Sequence, residues 1–196
     1  TITTQGDVLY RDGSGLQRLA AGTNGQLLQT GGAGANPSWT DAPAGITQFD
    51  QWRMTANNTS SQDPVGGSGN IERPDDAVFA KIGSGMTNSS GIFSFPETGL
   101  YWLMFNVDGD SSSGGVSGII EASTNSGSSW DEIGFIHIGD GQGWYIASMT
   151  SALFNVTNIS TARCKFRLSG SGTFNMYGNT NRNHTFFTFI RVGDSQ

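Results

Sequence analysis

Residues 100–105 are apolar at every position, with no alternation of apolar and polar side chains. A strand with that pattern has two faces to cover. It follows Ile92-Phe-Ser-Phe95 and Pro96-Glu-Thr-Gly99. Proline fixes its own φ and glycine permits a positive one, so the spacing predicts a strand at 92–95, a turn at 96–99 and a long strand at 100–107. The closing segment, 185–192, is also two-faced: Phe187 and Phe189 share one side, Phe186 and Ile190 the other. With no helical periodicity in the chain, the expected covers are a second sheet and a neighbouring subunit. Tyr101, Leu103, Phe105, Phe187 and Phe189 are therefore candidates for the core or for a trimer interface.

Further strands are expected at 49–54, 77–82, 118–122, 132–138, 146–156, 162–168 and 173–177. Loops are expected at 55–69 and 108–115. Short strands at this spacing suit a jelly roll. Residues 1–45 read differently. Strands at 8–11, 16–20 and 26–30 are separated by Asp12-Gly13 and Asn24-Gly25, both hairpin signals, and a Gly/Ala/Asn-rich stretch leads to Pro37-Ser-Trp39. These strands are too short and too few to enclose a core. Three copies about an axis would cover their apolar residues. The division expected is an N-terminal trimeric β segment and linker, 1–45, and a head, 46–196.

Composition agrees with many strands joined by turns: 29 glycines in 196 residues and only 13% charged residues. The net charge of −6 argues against nucleic acid as a partner. No apolar run reaches the length of a membrane span, and no signal peptide opens the chain. The chain does not start with Met, which leaves both processing and a fragment open. One cysteine, Cys164, allows no intrachain disulfide and no cysteine-based zinc site.

Candidate chemistry is sparse. No nucleophile elbow, phosphate loop, dinucleotide fingerprint or zinc-protease motif occurs, so no catalytic residue, cofactor or metal is expected. Asp108-Gly-Asp110-Ser-Ser112 resembles the start of a calcium loop, but its later glycine and glutamate positions hold Ser113 and Ile119. Ser123 to Trp130 is similar to an Asp-box hairpin with Asn125 in place of Asp, a turn-forming device. His137 and His184 lack ligand spacing and read as structural or surface residues, and Cys164 as a small strand residue. Asp140, Gln142, Trp144 and Tyr145 combine aromatics with hydroxyl-binding groups after a Gly-rich loop, the pattern of a glycan-binding site. The alternative is that Trp144 and Tyr145 simply open a strand, one ring in the core and the other at a subunit interface.

Two resemblances organise these readings. Phe93-x-Phe95-Pro96-x-x-Gly99-x-Tyr101-x-x-x-Phe105, with the aromatic closing strand, resembles the globular heads of the complement first-component q family, which belong to the tumour-necrosis-factor-like jelly rolls. That resemblance implies an all-β antiparallel sandwich that trimerises. Gly6-Asp7-x-x-Tyr10-Arg11-Asp12-Gly13-x-Gly15-x-x-Arg18-Leu19, then Gly22-Thr23-x-Gly25-Gln26-x-Leu28 and Pro37-x-Trp39, is similar to a module of bacteriophage tail fibres and other virion appendages. It implies an intertwined three-chain segment in which Tyr10, Arg11, Leu19, Leu28 and Trp39 take part in attachment. Together they imply a homotrimeric short fibre located on the virion, on tail or capsid, held by other virion proteins and presenting a head to host-surface glycan. The alternatives are a capsid decoration protein without receptor binding, or a tip with depolymerase activity. The glycosylation sequons starting at Asn57, Asn58, Asn88, Asn155, Asn158 and Asn183 are expected to be unmodified.

Overall fold

The computed structural model describes residues 2–42, 45–139 and 144–196, without the side chains of residues 144 and 146. Its contacts divide the chain into two units, Thr1–Gly45 and Ile46–Gln196. No helix occurs among the described residues.

The first unit is two antiparallel hairpins. β1 (Val8–Asp12) pairs with β2 (Gly15–Leu19), and β3 (Gln26–Gln29) with β4 (Ser38–Asp41). β4 has no strand signal beyond Trp39. It forms because Leu28 and Trp39 are cross-strand partners and the Trp39 indole N–H donates to the Ala20 carbonyl at 2.7 Å. Gly22 allows that indole its place, since a Cβ there would lie 2.7 Å from the ring. At the other hairpin, the Asp7 carboxylate accepts from Arg18 Nε at 2.6 Å and from the N–H groups of Thr3 and Thr4. The cleft between the Arg11–Gly13 turn and Gly34–Asn36 is small and polar.

The second unit is a sandwich of two antiparallel sheets. The larger sheet has the order β12 (Trp144–Val156), β9 (Gly99–Ser111), β15 (Phe186–Gly193), β5 (Phe49–Met54), β6 (Ile71–Glu72). β14 (Phe174–Met176) continues beside β9 where β15 ends. The other sheet runs β11 (Asp131–Ile138), β10 (Val116–Ser123), β13 (Arg163–Gly170), β8 (Ile92–Ser94), β7 (Thr87–Ser89). Strands neighbouring in space are mostly distant in sequence, and chains of jelly-roll type close their two sheets in that way.

The core is aromatic. Phe93 of β8 meets Trp52, Phe166, Phe187 and Phe189 at centroid separations of 4.9 to 5.9 Å, and Phe166 stacks on Phe187 at 4.3 Å. Tilted and edge-on pairs of this kind stabilise by ~0.5–1.5 kcal/mol each beyond burial. The side chains of Tyr101, Leu103, Phe105, Phe187 and Phe189 are all buried here, within one chain. They alternate along β9 and β15 with outward-facing neighbours and form part of the packed interior of the single chain. Cys164 is buried beside them, and burial pushes its thiol pKa up, so it is not a poised nucleophile.

Two expected elements are corrected. Residues 77–82 form no strand; only Ile82 bridges to Phe49. The chain just before that segment is held by the buried Arg53, whose guanidinium binds Glu72 at 2.9 Å, Asp76 at 2.7 Å, Asp75 at 3.1 Å and the Thr180 carbonyl. Burial opposes the charge on Arg53, but Asp76 and Glu72 outweigh it and leave the guanidinium pKa raised. The short strands β6 and β7 lie on either side of residues 77–82 in the sequence. The expected loop at 108–115 is strand as far as Ser111, because β12 and β14 pair with it from both sides. Gly109 is required there: a Cβ would lie 2.4 Å from the Asn175 carbonyl oxygen. Asp108 and Asp110 therefore project from one face of a strand rather than curling around a loop.

Candidate functional site

Even-numbered residues of β9 point out of the sandwich, and the register fixes their neighbours. Trp102 lies between Leu153 and Ile190, Met104 between Ser151 and Thr188, and Asn106 between Met149 and Phe186. Trp102 is 40% exposed, Met149 52% and Leu153 60%. A single chain thus leaves a row of large apolar side chains uncovered on the outside of the six-stranded sheet. Exposed apolar residues are ordinary singly, but a contiguous patch marks an interaction surface.

The same face changes character along its length. The chain enters the unit beside Trp102, because Phe49 pairs with Ile190 and the Arg191 N–H donates to the Gln48 carbonyl. Asp110 is eight residues further along β9, about 26 Å at roughly 3.3 Å per residue. At that far end the outward groups are Asp108, Asp110, Tyr145, Tyr177 and His184. Tyr145 is the cross-strand partner of Asp110 and is 83% exposed. The Tyr177 hydroxyl donates to Asp110 Oδ2, and this bond, with burial and the nearby negative charge, pushes its phenol up to about 12. His184 Nδ1 lies 2.6 Å from Asp108 Oδ2. Asn106 Nδ2 donates to the His184 carbonyl at 2.7 Å, so the loop carrying the imidazole is tied to the sheet.

Of the four residues read as glycan-binding, Asp140 and Gln142 lie outside the described residues. Trp144 opens β12, and its side chain is likewise outside them. Tyr145 is an open ring at the far end of the sheet. His184, Tyr177, Asp108 and Asp110 were not grouped with it. His184 and Asp108 are 76 positions apart, and no local pattern links them.

The Asp-box-like segment is a turn between β10 and β11. Ser123 Oγ accepts from the Gly127 N–H at 2.9 Å, and Asn125 Oδ1 accepts from the Ser129 N–H at 3.0 Å. His137 lies exposed on β11 with its Nδ1 3.1 Å from Ser117 Oγ. Among the described residues, no group of three or more His, Cys, Asp or Glu side chains is placed to hold a metal. Among the described residues, no helix is long and apolar enough to cross a membrane.

In the first unit, Tyr10 and Leu19 are half-buried, Arg11 is exposed, and Trp39 is half-buried against Gly22. Leu28 is exposed, as are Leu9, Leu16 and Leu27.

No family model matches the sequence, and no curated protein does. Solved structures do match the fold. A crystal structure of murine APRIL superposes with a TM-score of 0.56 at 9% identity, covering 74% of this chain and 98% of that one. Eiger TNF from S. frugiperda gives 0.56 at 11% identity, covering 77% of this chain and 96% of that one. At such identities the likeness establishes the fold, a jelly roll of tumour-necrosis-factor type.

Proposed function

We propose that this chain is a homotrimeric virion fibre protein. The apolar part of the outer face of its six-stranded sheet, around Trp102, Met149 and Leu153, would join three heads, and its first unit would attach the assembly to the particle. The observation that carries the trimer is the uncovered row of Trp102, Met149 and Leu153. Burying side chains of this size is worth ~1.5–3 kcal/mol each, a strong drive to association once three copies share it. In a trimer each copy packs one surface against a different surface of the next, and the ring closes when that step is a third of a turn. The tumour-necrosis-factor type of fold supports the same arrangement.

The fibre half of the reading rests on the sequence of the first unit, which is similar to a module of phage fibres, and on its exposed leucines. Leu9, Leu16, Leu27 and Leu28 gain cover if the hairpins of three chains wind together. This also supports placing virion proteins, on tail or capsid, as its partners. Light scattering of the full chain at micromolar concentration is expected to give the mass of three copies, and a single-chain mass would overturn the trimer. Gold-labelled antibody against the head is expected to decorate purified particles at fixed positions. A chain lacking residues 1–45 should still fold and trimerise but be absent from particles, and normal incorporation of that chain would overturn the attachment role.

A further inference from the structure

The far end of the outer face carries groups that the sandwich does not need. Tyr145 leaves its ring in solvent at a strand position where the next outward residues of β12 are Ala147 and then Met149. The Tyr177 ring stands 6.2 Å from it, inclined by 51°, and the His184 ring stands 5.9 Å from Tyr177, inclined by 74°. Each inner ring is fixed by a carboxylate: Tyr177 by Asp110, His184 by Asp108. The backbone beneath is fixed too, since the Tyr177 N–H donates to the Asp108 carbonyl at 2.8 Å and the Thr185 N–H to the Tyr177 carbonyl at 3.1 Å. One open aromatic surface is thus backed by a rigid row of acceptors.

We propose that Tyr145, Tyr177, Asp110 and Asp108 form a site for a neutral hexose residue of a glycan. The inference deepens the fibre reading and rests on it for the claim that this end faces outward. A pyranose presents a flat patch of C–H bonds on one face and hydroxyls around its rim. The Tyr145 ring takes the C–H face. The oxygens Asp110 Oδ1 and Asp108 Oδ1, which hold no hydrogen bond among the described residues, accept from rim hydroxyls, as carboxylates are acceptors only. Preformed partners matter because a sugar gives up hydrogen bonds to water on binding, and an unmatched hydroxyl weakens the complex. Two carboxylates side by side repel uronic and sialic acids, which restricts the class to neutral sugars. A bound ammonium or guanidinium group is the competing occupant. It gains most when rings enclose it and exclude water, whereas these rings stand open, one beside the other.

The full-length protein is titrated with the methyl glycosides of glucose, galactose, mannose and N-acetylglucosamine, and separately with sialyllactose and a short lysine peptide. Binding is followed by heteronuclear NMR. At least one neutral glycoside is expected to shift resonances of β9 and β12, with sialyllactose silent. Tyr145→Ala should weaken that binding by about tenfold or more, and Tyr145→Phe by no more than about threefold, because stacking needs the ring and not the hydroxyl. Asp110→Asn should weaken it while Tyr145 stays in place. Light scattering on the same samples should give one unchanged mass. Any of four results overturns the site: no neutral glycoside binding, equal affinity in Tyr145→Ala, the lysine peptide as sole ligand, or a changed number of chains in Tyr145→Ala. The last would assign the ring to the interface between copies. The trimer is read independently from the wild-type mass, so failure of the sugar site leaves that reading standing.

Discussion

Trp102 and Leu153 are cross-strand partners on β9 and β12, and both project from the outer face of the sandwich. A charge at the more exposed of the two disturbs the core little and an interface greatly. Leu153→Asp is therefore expected to lower the mass seen by light scattering from three chains to one. Its far-ultraviolet circular dichroism should stay that of the wild type. An unchanged trimer would mean that the copies meet through another surface.

Arg53 gives a contrast between buried and exposed charge. Its side chain is 1% exposed and holds three carboxylates, of which Asp75 is 82% exposed. Arg53→Ala empties a buried site and removes its hydrogen bonds to Glu72, Asp75, Asp76 and Thr180 together, so it should cost about 2–5 kcal/mol in urea unfolding. Asp75→Asn should cost about 1 kcal/mol or less. Equal costs for the two would contradict the burial.

Tyr101 predicts behaviour in alkali. Burial, helped by the charge of Glu97 and opposed by Arg191, raises its phenol from 10.0 to about 12. The fold thus favours the protonated form. Its contribution is complete below pH 10.0 and is lost as pH rises towards 12. The urea midpoint should fall across that window, and fall less steeply in Tyr101→Phe, with Tyr177 sustaining part of the slope. Identical slopes in the two proteins would exclude Tyr101 as the source.

Asp7 predicts the opposite dependence in the first unit. The Arg18 guanidinium and the N–H groups of Thr3 and Thr4 hold its carboxyl well below the ordinary 3.8, against a smaller effect of burial. Its contribution to the β1–β2 hairpin is present above pH 3.8 and is lost as pH falls through the lower, folded value. Carboxyl NMR should show Asp7 still ionised just below pH 3.8, and amide protection of the hairpin should persist there. Asp7→Asn should remove that protection at neutral pH, and a carboxyl titrating at 3.8 would refute the pairing.

The parts of this architecture that were legible in sequence are those set by local chemistry. The Pro96–Gly99 turn, the two-faced run after it and the aromatic closing strand each signal themselves within a few residues. The parts that were not legible depend on distant partners. Thr87–Ser89 is too short and polar to read as a strand, and it forms because β8 lies alongside. Residues 77–82 have a strand-like composition, yet Arg53, more than twenty positions earlier, ties Asp75 and Asp76 into a loop. Asp108 to Ser111 favour turns by propensity, and ladders on both sides override them. For the site, Tyr145 was visible as an aromatic after a glycine run. Its setting was not, because Tyr177, with His184 beyond it, comes from other parts of the chain.

The thirteen residues of β9 pair without a break along β12, and β15 then β14 cover its other edge. These strands run from the end where the chain enters to the far end of the head. A pull between those two ends acts parallel to the ladder, so every hydrogen bond across it is strained together instead of parting one after another. Single-molecule extension from Ile46 to a handle at Ser112 should need a distinctly larger force than extension across the sheet, from β6 to β12. Equal forces would show that the load passes around β9. A head strung in this way can be tugged at its tip and transmit the strain to its base while remaining folded.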